Sequence, residues 1–189
     1  EICACLVGSE MCIRDRTKTE SDLGLSKIEG AETVTVFTAT DDTDHYCNGV
    51  VMTEFKGKLY TQWQSSAKDE DAEDTWVAYS VSDDNGATWS EPKVLVPTID
   101  NGYCSSGGWF VSGDTLVSYI NVWYSDTTPR GGFAYYVEST DGEHWSEMKP
   151  VLMKDGTPME GIIEQDPHVL ASGTVSYTHL RAHETCADL

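Results

Sequence analysis

One stretch of this chain occurs twice, and a repeat constrains a fold more than any composition does. The segment YSVSDDNGATWSEPKVL from Tyr79 returns as YVESTDGEHWSEMKPVL from Tyr136, with Trp89 and Trp145 56 residues apart. Two further registers agree. FKGKLYTQW around Gly57, FVSGDTLVSYI around Gly113 and VLASGT around Gly173 form one; Tyr46-Cys47 and Tyr103-Cys104, 57 residues apart, form the other. Runs rich in Val, Tyr, Trp, Phe and Thr suit half-buried strands, and Gly beside Lys, Asp or Asn suits hairpin turns. These signals predict strands near 49–55, 58–64, 75–81 and 92–96, then 108–112, 115–123, 132–138 and 149–152. No stretch carries a 3.6-residue apolar period. Four antiparallel strands per repeat of this length make one blade of a β-propeller. The chain is expected to be all-β and to hold two to three blades, with an opening strand near 33–37 and a last blade interrupted near Gly173.

The two ends read differently. Residues 1–15 and 175–189 can be encoded by complementary DNA strands: Asp15 as GAC returns GTC for Val175, Met11 returns His179, and Glu1 as GAG returns CTC for Leu189. Selection on protein structure does not produce fifteen such matches in a row. The strings LVGSEMCIRD and VSYTHLRAHET also resemble a sequencing adapter translated in both directions. Residues 1–16 and 175–189 are therefore expected to be foreign, leaving 17–174 as the native part of a propeller. Without the ends, Cys47 and Cys104 are the only cysteines and Arg130 the only arginine. The Cys and His of the ends, which would otherwise suggest a zinc site, then carry no meaning. No metal or cofactor is expected.

Lys and Arg number 12 against 32 Asp and Glu, a net charge of −20. A nucleic-acid or anionic-membrane partner is excluded, because phosphate binding needs a basic surface. No apolar run approaches the roughly 18 residues of a membrane helix, so no membrane span is expected.

Ser82-x-Asp84-x-Gly86-x-Thr88-Trp89 matches the Asp-box (BNR) motif S-x-D-x-G-x-T-W, and Ser139-x-Asp141-Gly142-x-x-Trp145 is a variant one residue shorter. The chemistry is local: a carboxylate accepts backbone N–H groups across a turn, Gly takes positive φ, and Trp seals the hairpin. These boxes are structural. On them, and on YCNGVVMTEFKGKLYTQWQSS, the chain resembles the sialidase-like propeller superfamily of polysaccharide-degrading bacteria. The resemblance implies a six-bladed ring, a glycan ligand, and a parent glycoside hydrolase that is secreted, periplasmic or at the cell surface. It also covers non-catalytic carbohydrate binders and modules of adhesion proteins. One fold hosts many chemistries, and the three arginines that sialidases use are not all here.

In a propeller the starts of the inner strands and the loops between second and third strands share one face. That places 41–48, 100–105 and 160–168 together with loops 65–75 and 124–131. Glycoside hydrolysis needs a proton donor and a second carboxylate or activated nucleophile. Glu164 and Asp166, two apart on a strand, are the candidate catalytic carboxylates, and His45 a candidate acid or base. Asn48, Tyr103, Arg130 and His168 are candidate substrate contacts. The acidic run from Asp69 to Asp74 reads as a solvated loop. Cys47 and Cys104 read as buried small residues on adjacent inner strands, close enough to permit a bridge.

Overall fold

The computed structural model describes residues 30–40, 42–128 and 131–172, and the backbone of 175–176 and 179–180. Arg130, Gly173, residues 1–16 and most of 175–189 lie outside the described residues. Contacts divide the chain into two units, Val34–Ala182 and the ends; everything below concerns the first.

Two four-stranded antiparallel sheets follow one another in strict chain order. The first holds β1 (Tyr46–Phe55), β2 (Lys58–Ser66), β3 (Trp76–Ser82) and β4 (Lys93–Val96). The second holds β5 (Gly102–Ser112), β6 (Thr115–Tyr124), β7 (Gly132–Ser139) and β8 (Lys149–Pro150). Four strands in up-and-down order, repeated, are the blade topology of a propeller. Beyond them lie two-residue strands: β9 (Ile162–Ile163), β10 (His168–Val169), β11 (Val175–Ser176) and β12 (His179–Leu180). β9 pairs with β12 and β10 with β11. Among the described residues there is no helix, hence none long and apolar enough to cross a membrane.

The hairpins follow their turn chemistry. Lys56 and Gly57 both take positive φ, at 52° and 77°, in the two-residue link between Phe55 and Lys58. That is the type I′ pattern, whose twist suits flanking strands. Gly113 alone is positive (φ 59°) in the link between Ser112 and Thr115.

The predicted first inner strands are too short by several residues. β1 begins at Tyr46 and β5 at Gly102, each crossing a register shift, between Asn48 and Val51 and between Ser106 and Trp109. A bulge inserts a residue without ending the strand, and periodicity does not reveal it. No strand forms near 33–37; instead Phe37 stacks on Trp63 at 6.0 Å. β8 is shorter than predicted, although Val151 N–H still donates to the Ala134 carbonyl of β7 at 2.9 Å.

The main core lies between the two sheets. Tyr60, Val77 and Tyr79 from the first meet Trp109, Leu116, Ile120 and Val137 from the second. Trp109 is 1% exposed and packs edge-on to Tyr60 at 6.4 Å. Buried Gln62 is paired on this interface, as burial demands, whereas the buried Nε1 of Trp145 has no hydrogen-bond partner. Gln62 donates from Nε2 to the Gly107 carbonyl at 3.2 Å and accepts from Ser118 Oγ at 2.6 Å.

Both Asp-boxes close as turns. Asp84 Oδ1 accepts from Ser82 Oγ (2.8 Å) and the Thr88 N–H (2.8 Å), and Oδ2 from Thr88 Oγ1 (2.6 Å). Asp141 Oδ1 accepts from Ser139 Oγ (3.0 Å) and from the N–H groups of Glu143 (2.9 Å) and His144 (2.8 Å). One expectation changes here. Trp145 does not seal its own hairpin alone: it packs on Tyr79 of the preceding sheet at 5.7 Å and on Trp109 at 5.9 Å. The box tryptophan is thus an inter-sheet wedge.

Candidate functional site

β1, β5 and the segment from β9 to Asp166 are pinned side by side. Ser106 Oγ donates to the Gly49 carbonyl at 2.6 Å. The buried amide of Asn121 clasps Ile163 in both directions, accepting its N–H at 2.8 Å and donating to its carbonyl at 3.1 Å. Trp109 N–H donates to Asp166 Oδ1 at 2.6 Å. The strands touch so closely that a Cβ at Gly108 would sit 2.6 Å from the Gln165 carbonyl oxygen. Asn48, Ser105 and Glu164 each neighbour one of these pins, so they share one rim.

On the first sheet the rim is fixed by Asp44, which accepts from Ser65 Oγ at 2.9 Å and Trp76 Nε1 at 2.5 Å. His45 is exposed and donates from Nε2 to the Thr40 carbonyl at 2.8 Å. Tyr46 is partly buried. Burial first, then the Glu70 carboxylate, raises its phenol above the ordinary value, against the lowering effect of Asn48. The acidic loop is tied down: Glu70 offers its carbonyl to Gln64 Nε2 at 2.7 Å, Asp69 its carbonyl to Ser66 Oγ at 2.6 Å, and Asp74 its carboxylate to Ala67 N–H at 3.2 Å. It is therefore an ordered wall beside Tyr46.

On the second sheet Tyr103 stacks on its cross-strand partner Trp123, centroids 5.3 Å apart and planes within 14°. Nearby, the Tyr124 and Tyr135 hydroxyls share a bond of 2.9 Å, and burial pushes the Tyr124 phenol up to about 12.

Among the candidates, Asn48 and Glu164 are exposed on this rim and Tyr103 is half-buried. Asp166 is held by the Trp109 N–H, whereas Glu164 faces solvent. His168 is exposed and pairs in register with Ser176. Arg130 lies outside the described residues. Cys47 is exposed and Cys104 buried, and both are free thiols, so neither the matched burial nor the bridge is found. Among the described residues no three His, Cys, Asp or Glu side chains gather around a metal position.

Sequence reading missed Tyr46 with Glu70, and Asn121. The available signal for Asn121 was a polar side chain inside an apolar strand, 57 residues after Gln64 in the same role-bearing strand.

Two successive blades whose inner strands meet at a polar, aromatic-lined rim define a propeller-type protein. The chain belongs to the BNR repeat-like domain family, whose profile matches residues 57–186. No curated protein matches it. Among solved structures it resembles a protein of unknown function from Dyadobacter fermentans DSM 18053, at 12% identity and TM-score 0.59, covering 76% of this chain and 48% of that one. An α-L-arabinanase from Penicillium chrysogenum, solved with arabinobiose, matches at 11% identity and TM-score 0.47, over 73% of this chain and 46% of that one. The chain spans about half the length of these solved structures.

Proposed function

We propose that residues 17–174 are part of a six-bladed sialidase-like propeller whose parent hydrolyses glycosidic bonds in complex glycans outside the cytoplasm. The observation that carries this reading is the set of pins that joins β1, β5 and the segment from β9 to Asp166, the segments on which Asn48, Tyr103 and the exposed Glu164 lie. Family membership supports it. Glu164, exposed at that rim, is the leading catalytic carboxylate. Asp166 and His45 are the other candidates, and Asn48, Tyr103, Arg130 and His168 contact the sugar. Glycoside hydrolysis asks one carboxyl to protonate the leaving oxygen and a second group to act on the opposite face. This chain alone is inactive in that reading, since the opposing group belongs to blades that complete the ring.

The test is hydrolysis of a panel of aryl glycosides by the complete protein and by Glu164→Gln. Loss of kcat by at least ~100-fold with KM little changed supports a general-acid or nucleophile role. Full activity in the variant removes Glu164 from the chemistry.

The Tyr103–Trp123 stack favours a second reading, a carbohydrate-binding propeller without turnover. It predicts glycan retention on an affinity column and no released sugar.

A further inference from the structure

The exposed Glu164 stands on backbone that is gripped on both sides. Before it, Ile163 is 1% exposed and held by the fully buried amide of Asn121. Oδ1 of that amide accepts the Ile163 N–H at 2.8 Å, and Nδ2 donates to the Ile163 carbonyl at 3.1 Å. The same Nδ2 lies 3.4 Å from the Ser106 carbonyl, which ties the amide to β5 as well. After it, Asp166 takes the Trp109 N–H at 2.6 Å. The carbonyl of Ile163 belongs to the rigid peptide plane that ends on the Cα of Glu164, so fixing that carbonyl fixes where the Glu164 side chain begins.

The repeat supplies an internal control, and neither grip recurs in it. One period earlier Asn121 corresponds to Gln64, whose Nε2 donates to the Glu70 carbonyl at 2.7 Å. Ile163 corresponds to Ser106, which is held to the Gly49 carbonyl by its own hydroxyl. Asp166 corresponds to Trp109, which reaches the Val51 carbonyl through Nε1 at 3.2 Å. The contact between β1 and β5 is thus built from other bonds, and joining one repeat to the next does not require an asparagine at 121.

We propose that Asn121 is a positioning residue, which acts through Ile163 to hold the Glu164 carboxylate at one distance and angle from the sugar. The inference rests on the reading of Glu164 as the leading catalytic carboxylate. A carboxamide suits the task because it donates and accepts at once and carries no charge to desolvate. Displacing a reacting group by about 1 Å can cost roughly 100-fold in rate.

The test is a double-mutant cycle in the complete protein, on the aryl glycoside it cleaves fastest, with kcat taken per folded molecule. Asn121→Ala is expected to lower kcat by about 30-fold and to change KM by no more than about 2-fold. In the Glu164→Gln background the same substitution is expected to lower kcat by less than about 3-fold, because the carboxylate it positions is already gone. A purely structural asparagine gives losses that multiply, and multiplied losses overturn the proposal. So does an unchanged kcat in Asn121→Ala. Full activity in Glu164→Gln instead removes the reading of Glu164 itself, and the proposal with it.

Amide exchange in the unmutated protein tests the grip without any variant that must fold. The Ile163 amide is expected to exchange at least ~100-fold more slowly than an unprotected amide. Unprotected exchange there overturns the proposal.

Discussion

The backbone N–H of Trp109 donates to the carboxylate of Asp166 across 57 residues of chain, at 2.6 Å. That bond fastens the segment after β9 to the middle of β5, two residues beyond Glu164. A hydrogen bond to a charged acceptor contributes about 1.5–3 kcal/mol. Asp166→Ala is therefore expected to destabilise by about 2 kcal/mol and to raise amide exchange over 160–169. Asp166→Asn keeps an acceptor and is expected to lose less than half of that. Equal exchange in wild type and Asp166→Ala would show that the bond fixes nothing.

The Asp-boxes make stability depend on acid. Hydrogen bonds from the Thr88 hydroxyl and N–H and from Ser82 hold the Asp84 carboxyl down at about 2, and the N–H groups of His144 and Glu143 hold Asp141 well below the carboxylate range. A depressed carboxyl stabilises the fold above its unfolded pKa and loses that contribution as pH falls through the folded value. Tm is thus expected to be flat in these groups above about pH 4 and to fall between about pH 4 and 2. Asp84→Asn should flatten the upper part of that decline in a Tm-versus-pH series.

His144 occupies the place that Thr88 holds in the first box, its Nδ1 2.7 Å from Asp141 Oδ2. The hydrogen bond and charge of Asp141 raise the imidazole above its ordinary value. A raised histidine contributes its stability below the unfolded pKa, and that contribution is lost as pH rises through the folded one. A small fall in Tm above about pH 6.5 is expected. His144→Thr, which rebuilds the first box's chemistry, should abolish it. An unchanged slope in that variant would locate the titration elsewhere.

Gly142 takes φ 76°, and a side chain there would run into the Tyr60 phenol. Gly57 also has positive φ, at 77°, but faces open space. Gly57→Ala is expected to cost about 1 kcal/mol from conformation alone. Gly142→Ala adds a collision inside the core and should cost about 3 kcal/mol or more. Urea denaturation of both variants separates the two contributions, and equal losses would remove the collision from the account.

The repeat made most of this fold readable before any coordinates. Trp89 and Trp145, Gly57 and Gly113, and Cys47 and Cys104 set the period, and each of the eight strands overlaps the range it predicts, although β1 and β5 start earlier and β8 stops sooner. What escaped was set by contacts between repeats. The bulges fall after Asn48 and Ser106, where Ser106 pins to Gly49, and Trp145 packs on Tyr79 of the preceding sheet. Cys47 and Cys104 share a register yet differ in burial, because only Cys104 has a preceding sheet, that of Thr75, over it. The candidate rim was legible as three loops. The pairing of Tyr46 with Glu70 and the grip of Asn121 on Ile163 required the fold to bring distant segments together.

The central claim is that a larger ring of BNR repeats surrounds this piece. It is tested by sequencing the source DNA outward from primers within residues 20–170. The account predicts flanks that lack the strings of residues 1–16 and 175–189 and that continue the 57-residue period with further Asp-boxes. Flanks carrying those strings intact, with no further repeat on either side, would contradict it.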